Sequence, residues 1–122
     1  MDAAANVERA LRDGGVAWRR VAPREWGLTA DAGGWELHIG VVLRDGLVCA
    51  QGEALAARRA RAVDPHDLLR RNRALHLVRL AHTAAGDVYV QGEVPAPAAP
   101  EHVDRLLGAL VQAADDVRSA AG

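Results

Sequence analysis

Five histidines, His38, His66, His76, His82 and His102, one cysteine, Cys49, and three hydroxyls, Thr29, Thr83 and Ser119, are the side chains that could act as nucleophile, base or metal ligand. No two histidines stand at the HxH, HxxxH or HExxH spacing that presents two imidazoles to one ion, so no metal site is expected. None of the hydroxyls lies in a strand-to-helix elbow, and a lone Cys49 inside a strand reads as a small packing residue. Gly14-Gly15 and Gly33-Gly34 lack the pattern of a phosphate-binding loop and read as turns, so neither a nucleotide nor any other cofactor is expected. The densest charge feature is the set Arg58, Arg59, Arg61, Arg70, Arg71 and Arg73, interrupted by Asp64 and Asp67. Such a cluster suits a solvated helix edge, an acidic protein surface or the phosphates of a nucleic acid.

The 122 residues carry a formal net charge of −1, with half the residues hydrophobic and a quarter charged, which is the make-up of one globular domain over 1–122. Without a global basic field, and with no aromatic residue among the clustered arginines, nucleic acid is the second choice of partner. No apolar run approaches a membrane span, and Met1-Asp2-Ala3-Ala4-Ala5-Asn6 has neither the basic start nor the apolar centre of a secretory signal. A cytoplasmic protein without membrane contact is the expectation. All 15 basic residues are arginine, phenylalanine is absent, and the only large rings are Trp18, Trp26, Trp35 and Tyr89. Each buried ring must therefore supply a large share of the core.

What could position these side chains is an α+β scaffold. Asp2 caps a first helix with Ala3, Val7, Ala10 and Leu11 on one face, ended by Gly14-Gly15. Residues 16–31 alternate poorly and read as extended chain broken at Pro23. Trp18 and Trp26 flank that break, either as core anchors or as partner-contacting rings; scarcity of other rings favours the core. From Trp35 to Leu43 apolar and other residues alternate, and Asp45-Gly46 is the pair preferred in a type I′ hairpin turn. Counting back from that turn sets Leu43 opposite Val48, Val41 opposite Ala50, Ile39 opposite Gly52, Leu37 opposite Ala54 and Trp35 opposite Ala56. On the reverse face the same register sets Val42 opposite Cys49 and His38 opposite Glu53, a mixed surface on which His38, Glu53 and Cys49 are the only basis for an enzymatic reading.

Asp64-Pro65-His66-Asp67 announces a helix with a narrow apolar stripe of Leu68, Leu69 and Leu75 and with Asn72 on the same side. Residues 77–83 and 87–94 form a second hairpin around Ala84-Ala85-Gly86, with Val78, Leu80, His82, Val88, Val90 and Val94 on one face. A last helix begins near Glu101 and carries Val103, Leu106, Leu107, Leu110, Val111, Ala114 and Val117. Helices packed on an antiparallel sheet follow from this order.

The stretch DPHDLLRRNRALHLVRLAHTAAGDVYVQGEVP and the helix after it resemble the YbjN family, whose domains are similar to the class I type III secretion chaperones. The resemblance rests on Leu68, Leu69 and Asn72 in a Leu-Leu-x-x-Asn helix, the Gly86-Asp87 turn, the Glu93-x-Pro95 strand end and the closing amphipathic helix, about half of the chain. It implies an α-β-β-β-α-β-β-α order, a homodimer, no catalytic centre, and a chaperone-like or regulatory role in binding a segment of a client protein. Combined with the narrow stripe of the middle helix and the mixed sheet face, the expected dimer or partner surface comprises Leu68, Leu69, Arg71, Leu75, Val42, Leu47, Cys49 and Trp26. The alternative is a nucleic-acid-binding accessory domain using the arginines of residues 58–73.

Overall fold

A computed structural model describes residues 2–122. The chain runs α1 (Ala3–Asp13), β1 (Ala17–Ala22), β2 (Glu25–Asp31), β3 (Glu36–Arg44), β4 (Leu47–Leu55), α2 (Ala57–Ala60), α3 (Pro65–Asn72), β5 (Val78–His82), β6 (Val88–Pro95) and α4 (Pro100–Ala120). The fold class and the order of helices and hairpins are as expected. Residues 16–31 resolve into two strands joined at Pro23-Arg24, one strand more than the resemblance implies, and α2 is an added single turn.

All six strands form one antiparallel sheet in the order β1-β2-β3-β4-β6-β5. Asp45 and Gly46 both have positive φ, as a type I′ turn requires, and Leu43↔Val48, Val41↔Ala50 and Ile39↔Gly52 pair as counted from it. The β3–β4 ladder ends at Ile39↔Gly52, and past it β4 bulges against β6 between Glu53 and Leu55, with both Ala54 and Leu55 buried. The expected pairings of Leu37 with Ala54, Trp35 with Ala56 and His38 with Glu53 lie past the end of that ladder. In the second hairpin Gly86 takes the left-handed position of the three-residue loop, and Thr83 N–H bonds the Asp87 carbonyl at 2.9 Å.

One sheet face is covered by α1 and α4. Val7 and Leu11 of α1, and Val103, Leu106, Leu110 and Val117 of α4, meet Trp26, Leu37, Val41, Val48, Val88 and Val90 from the strands. Trp26 is the largest fully buried side chain among the described residues, and its indole N–H donates to Glu8 Oε2 at 2.8 Å across to α1. At the other end of the core, Trp35 donates to Asp115 Oδ1 of α4 at 3.1 Å while the Arg118 guanidinium stacks 4.0 Å from the ring centroid. These two indoles fasten one helix each to the sheet.

Asn72 explains the polar residue on the apolar side of α3. Its amide nitrogen donates to the Leu80 carbonyl at 3.1 Å and its oxygen accepts from the Leu80 N–H at 2.7 Å, so one side chain satisfies an outer main-chain pair of edge strand β5. Asn72→Ala should lower stability by about 1–3 kcal/mol, because both main-chain groups are part-buried and would be left unsatisfied. Urea denaturation reads the loss, and amide exchange at Leu80 should accelerate.

Candidate protein-contact surfaces

Two surfaces are left after the core is closed. The first is the sheet face away from α1 and α4. A single register row crosses all six strands as Arg19, Gly27, Gly40, Gln51, Gln91 and Arg79. The central glycines leave a shallow trough of about 780 Å³ whose walls include Trp18, Arg19, Thr29, His38, Gln51, Glu53 and Tyr89. On its floor a Cβ at Gly40 would meet nothing within 4 Å.

Two polar pairs stand on this face. Thr29 Oγ1 and His38 Nδ1 lie 3.1 Å apart, and Arg79 makes two bonds to Glu93, at 3.0 and 3.2 Å. The hydrogen bond of His38 goes to Thr29, and among the described residues none links it to Glu53. Cys49 and Glu53 are four residues apart on one strand, a separation of about 13 Å, so His38, Glu53 and Cys49 do not converge. What the face offers is hydrogen bonding and shape. Among the described residues, no three His, Cys, Asp or Glu side chains gather in a way that could hold a metal ion.

The second surface is the flank built by α2, α3 and the start of β5. Asp87 positions α2 by accepting the Ala57 N–H at 2.8 Å, which gives the Gly86-Asp87 turn a structural task. Asp64 caps α3 through the His66 N–H at 2.9 Å, and Pro65 occupies its first turn. Leu68 points into the core while Leu69 is 65% exposed. Leu77, immediately before β5, is 43% exposed and has φ 71°. Asp67 pairs with both Arg71, at 3.0 Å, and Arg70, at 3.7 Å. Among the described residues Arg58, Arg59, Arg61 and Arg73 make no ion pair.

The expected contact residues divide accordingly. Leu69, Arg71 and the half-buried Leu75 lie on the α3 flank, whereas the half-buried Val42, Leu47 and Cys49 lie on the open sheet face. Two expectations are corrected. Leu68, 4% exposed, and Trp26, 1% exposed, are core residues and present nothing to a partner. Leu77 escaped sequence reasoning because left-handed backbone in a leucine has no local sequence signal.

No family model matches the chain, and no curated protein matches it in sequence. Among solved structures it is similar to the Yersinia pestis type III secretion chaperone SycH, crystallised in complex with a stable fragment of YscM2. The superposition has a TM-score of 0.61 and covers 98% of this chain and 99% of the SycH chain, at 11% sequence identity. The fold is that of a type III secretion chaperone. Coverage of nearly both whole chains means that the chaperone fold accounts for the sheet and its helices together. Among the described residues no helix is long and apolar enough to cross a membrane.

Proposed function

We propose that this chain is a non-enzymatic, chaperone-like protein-binding module, acting as a homodimer that holds a segment of a client protein. The observation that supports this most is the end-to-end likeness to SycH, a chaperone seen with a protein fragment bound. Two features of this chain's own surface agree. The open sheet face is wide, concave and floored by glycine, and the α3 flank exposes leucine beside arginine. Both are suited to laying down an extended or helical segment.

A free strand edge adds to the reading. Edge strand β5 is partly blocked by Asn72, while β1, at the other edge, carries a register irregularity between Arg20 and Ala22 and leaves Val21 exposed. Either another copy or a client can extend the sheet there. Membership of the YbjN family, a regulatory role and a cytoplasmic location belong to the same proposal; the first two rest on the motif around Leu68, Leu69 and Asn72.

Multi-angle light scattering of the purified chain tests the homodimer. A mass twice that of one chain, independent of moderate salt, is expected. A strict monomer at high concentration would remove the homodimer from the proposal.

A further inference from the structure

Apart from the two surfaces above, the helical side of the molecule keeps a groove between the end of α1 and the first half of α4. It has two parts, which share Ala10, Gly14 and Asp104. One is an apolar cavity of about 270 Å³ with Leu11, Leu28, Ile39, Leu107 and Val111 among its walls. The other, of about 400 Å³, is lined by Arg9, Asp13, Glu101 and Asp104. Three carboxylates against one guanidinium leave that part a formal −2, and the guanidinium is already paired, Arg9 with Asp13 at 3.8 Å. Among the described residues Glu101 and Asp104 make no ion pair, and neighbouring His102 and Arg105 lie outside the walls.

Two residues of this groove are poor choices for the helices that carry them. Gly108 stands inside α4, where glycine is less stable than alanine, and no packing asks for it: the residue is exposed, and a Cβ there would meet nothing within 4 Å. Asp13 ends α1 at the negative pole of the helix, where a cation is favoured, and Arg9 precedes it in the weaker order of an i,i+4 pair. Both choices serve the groove. The missing side chain at Gly108 leaves the apolar cavity open, and Asp13 adds charge to the acidic part. Residues that oppose local stability and meet at one place mark a functional site.

We infer that this groove docks a basic, leucine-bearing segment of a partner protein, with an aliphatic side chain in the apolar cavity and a flanking arginine or lysine on Glu101 and Asp104. The site rests on the protein-binding reading and adds to it the chemistry of the client. Charge complementarity selects the occupant. Phosphates of a nucleic acid or of a lipid headgroup would meet a net −2 and be repelled. The apolar cavity also falls below the roughly 300–1,000 Å³ of small-molecule pockets, and suits single side chains.

The test is fluorescence anisotropy of three labelled peptides with the full chain. The first carries leucines flanked by arginines, the second has glutamate for each arginine, and the third has serine for each leucine. The first should bind at least about tenfold more tightly than either of the others, with affinity falling as salt rises. Gly108→Leu sets a side chain at the open cavity and should weaken the first peptide at least about tenfold, while the chain resists urea as well as before or better, because leucine is the better helix former. Glu101→Gln with Asp104→Asn should weaken the same peptide and flatten its salt dependence. Light scattering of Gly108→Leu should return the mass of the unaltered chain; a smaller mass would mean that a second copy fills the groove, and would overturn the inference. Equal binding of the glutamate peptide, binding indifferent to Gly108→Leu, or failure of all three peptides to bind would overturn it too. A protein partner captured equally by the unaltered chain and by Gly108→Leu would remove this groove and leave a protein-binding module, whereas no partner captured by either would remove both.

Discussion

Replacing Trp26 by alanine should destabilise the chain by about 3–5 kcal/mol, the range for truncating a buried ring. Small domains have total stabilities on the order of 5–15 kcal/mol, so this one substitution would remove about a fifth or more. The reason is compositional as much as local. With no phenylalanine and a core of Val, Leu and Ala, no neighbour of comparable size can fill the space left behind. The indole also donates to Glu8 Oε2, so the alanine leaves a half-buried carboxylate without its donor. Urea denaturation should show a lower midpoint with an unchanged slope. A loss under about 1 kcal/mol, typical of a surface site, would mean that Trp26 is not the anchor between β2 and α1, and would revive it as a partner-facing ring.

The second large effect is expected at Gly92, where β6 passes beneath the entry to β5. A Cβ built there would fall only 2.3 Å from the Leu77 carbonyl oxygen, 2.9 Å from Val78 Cγ1 and 3.0 Å from Leu106 Cδ1. Backbone on one side and the core on the other leave no flexible group to yield. Gly92→Ala should therefore cost about 3 kcal/mol, at the upper end for overpacking, and should do so by lifting β5 from β6. Because Asn72 is bonded to Leu80, the α3 flank would move with it. Amide exchange should quicken through Val78–His82 while Leu37 and Val41, in the middle of the sheet, remain protected. Uniform loss of protection would place Gly92 in the global core and detach it from the flank.

Much of the fold was legible because local signals agreed with tertiary need. Asp45-Gly46 specified its turn, and the alternation from Leu37 to Leu43 identified the buried face, since one side of β3 packs on helices and the other does not. Asp64-Pro65 announced α3 for the same reason. Residues 17–22 were obscure because β1 is an edge strand with no fully buried residue, so nothing enforces alternation. The expected pairing of His38 with Glu53 lies past the end of the β3–β4 ladder at Ile39↔Gly52, an end that the turn at Asp45-Gly46 does not mark.

The binding surfaces were less legible. Leu68 and Leu69 are adjacent in a short apolar stripe, and which of them faces the core depends on where Asn72 must sit to reach β5. Val42, Leu47 and Cys49 fell on the open face through the hairpin register alone. A binding surface carries no fixed spacing of residue types comparable to a metal or phosphate motif, so the partner's nature has to be inferred from charge and exposed apolar area.

Whether this fold binds protein is decided by affinity capture of the tagged, full chain from its native host's lysate at moderate salt, divided into nuclease-treated and untreated halves. A protein partner recovered in stoichiometric amount from both halves is the predicted result. Recovery that disappears with nuclease would make the arginines of 58–73 a nucleic-acid surface, and a capture empty in both halves would contradict a standing complex with any client.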